Sequence, residues 1–380
     1  MSKRVIVLGA TGSIGRQTLD VIRESTASDE RLELVGFSVH SNRDTLKLLN
    51  HEFPHSRAAW TGAPSSAPKE ASWAGPEALA QLLSETEADI AVNGIAGAAG
   101  LSASILVLQR GMHLALANKE SVVMGYRLLK KLADEHHCAI IPVDSEHAGL
   151  FQLIQRIGKP IISELTITAS GGPFRKLSID QLSSVTADDA CKHPVWKMGR
   201  KISIDAATMA NKGLELIEAA RLFDMPQTSI RVLIHPQSYV HAMVRTLDGA
   251  LYAQISKPDM RLPIHMALSW PNTTASSIGF TDLVGQTLEF YEPEKERYPL
   301  LWIARQALDE GEAACIVYNA ANEVAVQFFD QGNIRFTQIA TVVTSTLEKN
   351  WNLPIDSFED ILHIDSLART IAANNAERIT

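Results

Sequence analysis

Residues 4–15, RVIVLGATGSIG, decide the fold. The apolar run Val5–Leu8 feeds directly into a glycine turn, and the helical pattern IGRQTLDVIRES follows at once. Strand, glycine turn and helix in that order form the first βα unit of a doubly wound parallel sheet. Glycines at 9, 12 and 15 let backbone N–H groups approach a pyrophosphate at the positive end of the helix. The spacing is G-x-x-G-x-x-G rather than G-x-G-x-x-G, a variant taken as equivalent in role, so the turn predicts a dinucleotide site.

Working outward, further strand-like runs occur at 32–39 (LELVGFSV), 89–95 (DIAVNGI), 113–118 (HLALAN) and 139–145 (AIIPVDS). They alternate with the helical stretches DTLKLLNHEF, PEALAQLL and SVVMGYRLLKKLADEHH. Residues 1–145 are therefore expected to form an α/β, Rossmann-like domain. The stretch 61–77, TGAPSSAPKEASWAGPE, reads as a surface loop. An NAD site usually ends its second strand on Asp or Glu, which binds the ribose 2′-hydroxyl. Here Ser38, Val39, His40, Ser41, Asn42 and Arg43 stand there instead, which favours the 2′-phosphate of NADP; Arg43 either serves that phosphate or is a solvated start to the next helix.

Beyond residue 150 the pattern changes. SELTITAS, KISIDAA, RVLIHPQ, YVHAMVRT and ALYAQIS read as strands, with Asp248-Gly249 as a hairpin turn. This predicts a central α+β domain over 146–269 with an antiparallel or mixed sheet, a Pro- and charge-rich linker over 270–296, and a helical bundle over 297–380.

Composition narrows the class. The 380 residues are 46% hydrophobic and carry a net charge of −8, which argues against nucleic acid or an anionic membrane as partner. Three scattered cysteines, Cys138, Cys191 and Cys315, suit a reducing compartment, and no apolar run is long enough to span a bilayer. MSKRVIVLGA enters a strand with no secretory or transit pattern, so the expectation is a soluble cytoplasmic protein.

Several groups carry chemistry. Asp144 and Glu146 end an apolar strand at i and i+2, and in extended chain both would face one hard cation; the bland reading is an acidic loop or a helix N-cap. In ATMANKGLELIEAARLF (207–223), read as one amphipathic helix, Asn211 and Glu215 share a face flanked by Lys212. That set suits a phosphorylated substrate beside a metal, although one Lys and one Glu on a helix are usually solvated surface. ASGGPFR, with Ser170 before two glycines, reads as a phosphate cradle or a simple turn. KHPVWKMGRK places His193, Trp196 and Met198 on a segment that either packs as core or closes as a lid. Cys191-x-His193 lacks the second pair a zinc site needs.

Together these motifs resemble the 1-deoxy-D-xylulose 5-phosphate reductoisomerase family over nearly the whole chain. The resemblance includes GATGSIG, LANKES (116–121), VDSEH (143–147), ASGGPF (169–174), HPVWKMG (193–199), ATMANKG, HPQS (235–238), PDMR (258–261) and NAANE (319–323). It implies NADPH-dependent conversion of 1-deoxy-D-xylulose 5-phosphate to 2-C-methyl-D-erythritol 4-phosphate in non-mevalonate isoprenoid biosynthesis, by a homodimer whose central sheet carries the dimer contact. Asp144, Glu146 and Glu215 would ligate Mg²⁺ or Mn²⁺ and, with Lys119, form the catalytic group. Lys119, Ser145, Glu146, Ser170, His193, Ala206, Asn211, Lys212 and Glu215 would line the substrate site. Thr11, Gly12, Ser13, Ile14, Ser41, Asn42, Asn118, Glu120 and Gly199 would contact NADPH, and Trp196 and Met198 would close the lid. Two departures stand out. The family usually has Ser where this chain has Ala206, which removes a hydroxyl from the substrate phosphate. His40-Ser41-Asn42-Arg43 also differs from the family's Gly-Lys/Arg-Asn pattern.

Two other readings remain at this point. A semialdehyde dehydrogenase would share the glycine turn but needs a nucleophilic cysteine. A non-catalytic NADP-binding regulator fits Ala206 but has no need of three metal carboxylates.

Overall fold

The computed structural model describes residues 2–25, 31–192 and 199–380. The chain divides into two compact units: residues 1–121, 127–148 and 259–279 in the first, and 122–126, 149–258 and 280–380 in the second.

The first unit contains β1 (Lys3–Leu8), α1 (Ser13–Glu24), β2 (Leu32–Val39), α2 (Arg43–Glu52), β3 (Arg57–Trp60), β4 (Trp73–Ala74), α3 (Ala78–Glu85), β5 (Ile90–Asn93), α4 (Ala99–Gln109) and β6 (His113–Leu116). Next comes α5 (Lys119–Glu135), interrupted by non-helical backbone at Gly125, then β7 (Ile140–Pro142) and the start of α6 (Ser145–Ile157). The seven strands lie in the order β4-β3-β2-β1-β5-β6-β7, all parallel. Val5, Ile6, Val7 and Leu8 are all 0% exposed, as continuous apolar runs in a sheet covered on both faces require. Because β1 pairs with both β2 and β5, the crevice at their carboxyl ends is the topological switch point where such sheets bind ligands. The 61–77 stretch is not wholly loop. Trp73–Ala74 adds a short edge strand on β3, which gives Trp60 a paired neighbour.

The second unit contains β8 (Ile162–Ala169), α7 (Ala187–Ala190), α8 (Arg200–Thr208), α9 (Ala210–Phe223), β9 (Ile230–Ile234), β10 (Val240–Thr246) and β11 (Leu251–Ile255). After α10 (Arg261–Ser269) of the first unit, α11 (Pro299–Glu310), α12 (Glu312–Asp330), α13 (Gln338–Leu347) and α14 (Phe358–Glu377) complete it. The sheet runs β11-β10-β8-β9 and is mixed: β8 and β9 are parallel, while β10 is antiparallel to β8 and β11. Gly249, at φ 87°, makes the β10–β11 turn, as the Asp-Gly pair predicts.

Two expectations fail here. KISIDAA is helix α8, not a strand. Its period-2 alternation is outweighed by burial of Ser203, Ile204, Ala207 and Thr208, which repeat at helical spacing. Nor is 207–223 one amphipathic helix. Met209, at φ 59°, breaks it into α8 and α9. Leu216, Ala219 and Phe223 of α9 pack with the β8–β9–β10 core, while Ala210, Leu214 and Ile217 pack with α11 and α12. Covered from both sides, α9 has no exposed residue; Asn211, Ala220, Arg221 and Leu222 are half-buried and the rest are buried.

No helix among the described residues is long and apolar enough to cross a membrane.

Candidate active site

In the first unit, the glycine turn follows the end of β1 directly. Gly9 takes φ +77°, and Gly12, at the N-cap of α1, has no side chain to close the helix end. The turn is pinned from β2: the Gly9 N–H donates to Ser38 Oγ at 2.9 Å and the Ala10 N–H to Ser38 O at 2.9 Å. A Cβ on Gly15 would lie 2.3 Å from Gly9 O, so only glycine lets α1 sit this close to the turn. Thr11, Gly12, Ser13 and Ile14 surround an uncapped, positive helix end, the geometry that accepts a pyrophosphate. The chain at this point fits a dinucleotide.

After β2, Asn42 Oδ1 accepts from the Thr45 N–H at 2.9 Å and so caps α2, and Ser41 beside it is exposed. Arg43 is exposed and its Nε–H donates to Ser66 O at 2.6 Å. Asn118, 2% exposed, caps α5, and its Nδ2 donates to Gly97 O and Glu120 Oε2, both at 2.9 Å. This ties the loops after β5 and β6 together. Sequence reasoning missed Asn93, fully buried at the end of β5, which donates to Gly100 O and Ser104 Oγ at 2.8 Å and accepts from the Ile95 N–H. Its signal was available: an amide closing the apolar run DIAVNGI.

Asp144 follows β7 on the rim formed by the strands' carboxyl ends. The expectation that Asp144 and Glu146 face one side as extended chain is corrected. The Asp144 carbonyl accepts the Ala148 N–H at 2.8 Å, which makes Asp144 the N-cap of α6 and places Ser145 and Glu146 in its first turn. A helix start suits both carboxylates electrostatically, so capping and ligation are compatible here. Lys119 Nζ lies 2.7 Å from Asp144 Oδ2, with both side chains 12% exposed. Buried His147 Nδ1 lies 3.4 Å from Asp144 Oδ1, and Ser145 Oγ donates to Glu146 Oε2 at 2.5 Å. An ammonium seated against Asp144 shows that the position accommodates a cation, and the carboxylate donors are the type Mg²⁺ and Mn²⁺ take.

In the second unit, β8 ends at Ala169, and Ser170, Gly171 (φ +84°) and Gly172 (φ +69°) form the next turn. The Gly172 N–H donates to Ser170 Oγ at 3.2 Å. The Tyr298 hydroxyl donates to Gly171 O at 2.9 Å, and burial pushes its pKa up to about 12 and so keeps it a donor. A Cβ on Gly172 would lie 2.9 Å from Ala206 O and Ala207 Cα, so the turn sits directly on α8. On α9, Asn211 Nδ2 and Lys212 Nζ both donate to the Glu215 carboxylate. Lys212 is 4% and Glu215 2% exposed, so the solvated-surface reading of these residues is wrong. Gly199 is the N-cap of α8. His193, Trp196 and Met198 lie outside the described residues.

Two of the three cysteines are poorly suited as nucleophiles. Burial pushes the Cys138 and Cys315 thiols up, away from the thiolate.

Models of the 1-deoxy-D-xylulose 5-phosphate reductoisomerase family match residues 5–125, and those of its C-terminal domains match 140–223 and 255–371. The reductoisomerase of Treponema denticola is 44% identical over 373 residues, covering 97% of this chain and 96% of the relative. That of Acidithiobacillus ferrooxidans is 41% identical over 391 residues, covering 100% and 98%. The structure of the Zymomonas mobilis enzyme in complex with NADPH superposes with TM-score 0.90 at 38% identity, covering 99% of this chain and 100% of that one. A reductoisomerase in complex with NADPH, fosmidomycin and magnesium gives 0.89 at 35% identity, covering 99% and 98%. With the glycine turn, the carboxylates and the phosphate-type turn lying on a chain so matched from end to end, this protein belongs to the 1-deoxy-D-xylulose 5-phosphate reductoisomerase family.

Proposed function

We propose that the chain converts 1-deoxy-D-xylulose 5-phosphate to 2-C-methyl-D-erythritol 4-phosphate, with NADPH and Mg²⁺ or Mn²⁺, as a cytoplasmic homodimer. The observation that carries this reading is the buried Lys212–Glu215 pair with half-buried Asn211 beside it. Two dehydrated charges on one turn of α9 cost stability that an apolar helix would not, and such groups cluster where chemistry needs them.

Residues 1–145 take the nucleotide role, with Thr11, Gly12, Ser13 and Ile14 at the pyrophosphate and Ser41, Asn42, Asn118, Glu120 and Gly199 as further contacts. Residues 146–269 take the catalytic role, joined by the 270–296 linker to the helical 297–380. The reaction breaks and remakes a carbon–carbon bond in a ketose phosphate and then reduces the resulting aldehyde. When bound, NADPH supplies the hydride, and the divalent cation acts as a Lewis acid on the adjacent oxygens that gain negative charge. Asp144, Glu146 and Glu215 supply the carboxylates that hold the cation. Lys119, paired with Asp144, is placed to hold or move a proton there. Ser145, Ser170, His193, Asn211 and Lys212 bind the substrate, and its phosphate end is held near Ala206. That remote anchoring keeps the reacting carbons aligned with the nicotinamide, while Trp196 and Met198 exclude water.

The test is NADPH oxidation by the purified protein with 1-deoxy-D-xylulose 5-phosphate, with and without Mg²⁺ or Mn²⁺. Metal-dependent turnover to the erythritol phosphate is expected. Tight NADPH binding with no turnover under either metal would overturn the proposal in favour of a regulator.

A further inference from the structure

The NAANE segment of α12 has no part in the chemistry above, yet one of its residues reaches the helix beneath the phosphate-type turn. Asn322 is 0% exposed, and its Nδ2 donates to Asp205 Oδ1 of α8 at 2.8 Å. Asp205 is itself 1% exposed, and its other oxygen lies 2.9 Å from Lys201 Nζ, one turn back on α8. Burying a carboxylate this completely is costly unless both oxygens are engaged. The partners differ in kind. Lys201 balances the charge, whereas Asn322 adds a directed bond from another helix without adding a second charge.

What flanks Asp205 gives this tie its consequence. The next residue, Ala206, presents the carbonyl on which Gly172 rests, in a fit that leaves no room for a Cβ. Three residues on, Thr208 Oγ1 donates to Asp205 O and accepts the Ala210 N–H, both at 3.2 Å. These bonds lock the elbow at Met209, φ 59°, from which α9 departs with Asn211, Lys212 and Glu215. Asp205 therefore stands at the common root of the Ser170–Gly172 contact and of α9.

We propose that Asn322, acting through Asp205 with Lys201 as the balancing charge, is a positioning residue that holds α8 in register with the Ser170–Gly172 turn and so sets the substrate's phosphate cradle. This rests on the assignment of that turn and α8 to the phosphate end. Displacing α8 loosens the grip on phosphate, whereas the cofactor's pyrophosphate is read to bind at the glycine turn of the first unit, and only one proposed cofactor contact, Gly199 at the N-cap of α8, lies on the moved helix.

The experiment measures KM for 1-deoxy-D-xylulose 5-phosphate, kcat, the inhibition constant of inorganic phosphate and the Kd of NADPH. Asn322→Asp sets two carboxylates at hydrogen-bonding distance. It should raise KM and the phosphate constant together by about ten-fold or more, with kcat less affected and NADPH Kd within about two-fold. The swap Asn322→Asp with Asp205→Asn rebuilds one amide–carboxylate bond and should recover most of the loss. Lys201→Gln, at a residue 30% exposed, removes the balancing charge but keeps a donor towards Asp205, and should shift the same two constants by a smaller factor; it decides the matter if Asn322→Asp does not fold. A variant whose kcat and melting temperature fall while KM and the phosphate constant stay at wild-type values would show a merely structural tie and overturn the proposal. Wild-type protein run alongside separates the two ideas. If wild type fails to turn over, the assigned reaction is refuted; if it turns over and the variants' KM is unshifted, only the positioning role is.

Discussion

Replacing Gly15 by alanine tests the nucleotide site without touching any residue that would contact the cofactor's phosphates through a side chain. The new Cβ would stand 2.3 Å from Gly9 O, 2.6 Å from Ala10 Cα and 2.8 Å from Ala10 C, all backbone. No rotamer relieves this. Ordinary contact begins near 3.4 Å, so α1 and the turn must separate by about 1 Å. The turn cannot follow freely, because Ser38 holds both Gly9 and Ala10 and because Gly9 already lies against the Gly94 carbonyl. Forcing such a fit costs roughly 1–3 kcal/mol of stability. A displacement of about 1 Å misaligns the backbone N–H groups, and losing one hydrogen bond to a charged phosphate, worth ~1.5–3 kcal/mol, weakens binding by roughly ten- to a hundred-fold. Gly36→Ala on β2 is the internal control for packing, since its Cβ would meet the end of the Leu82 side chain at 2.9 Å, in the same sheet but away from the turn. The assay is fluorescence titration with NADPH, paired with circular dichroism to establish that each variant is folded. A folded Gly15→Ala protein that binds NADPH within about three-fold of wild type would refute the reading of this turn as the pyrophosphate site.

Three further outcomes follow from other parts of the chain. Ala206→Ser restores a hydroxyl beside the phosphate-type turn and should lower KM by about ten-fold, equivalent to ~1–2 kcal/mol; steady-state kinetics showing no change would remove Ala206 from the phosphate site. Lys212→Met alone strands the Glu215 charge and should cost about 3–5 kcal/mol. The double replacement Lys212→Met with Glu215→Leu should recover most of that stability while turnover stays absent, as thermal melts beside activity assays would show. His235 is 0% exposed, stacks on Phe290, accepts the Tyr239 N–H at Nε2 and faces Glu289 O at 2.8 Å through Nδ1, an arrangement only the neutral ring satisfies. Burial holds its pKa below the ordinary imidazole value. The unfolded chain therefore binds more protons as pH falls from about 6.5 towards that lowered pKa, so the protein should lose stability over this window. His235→Gln should flatten the slope in denaturant melts taken across it.

The parallel sheet and its glycine turn were legible because their signals are local. Val5–Leu8, the glycines and the first turn of α1 are contiguous, and backbone sterics alone make Gly15 obligatory. The Asp248-Gly249 hairpin was legible for the same reason. KISIDAA was not. Its alternation of Ile202, Ser203, Ile204 and Asp205 satisfies a strand, and what makes it α8 is the long-range fit of Ile204 and Ala207 into the helical core and of Asp205 against Asn322. Asp144 was found for a partly wrong reason. The i, i+2 argument assumed extended chain, whereas the residue caps a helix and pairs with Lys119 from the start of α5.

The burial of α9 explains why its charges looked ordinary in the sequence and are not. Read alone, ANKGLELIEAARLF has a polar stripe, and a stripe normally faces water. Here the sheet covers Leu216 and Ala219, the helical bundle covers Leu214 and Ile217, and Lys212, Glu215 and Glu218 are left with almost no contact with water. Gly213 shows how closely the bundle packs, since a Cβ there would lie 2.6 Å from the Tyr318 hydroxyl and 2.7 Å from the Ala304 side chain. A fold under pressure for stability alone would replace Lys212 and Glu215 in that setting with apolar side chains of similar volume. Keeping an ammonium, an amide and a carboxylate within one turn makes sense when binding a charged substrate later offsets the dehydration. That is why removing the pair should separate stability from turnover rather than lower both.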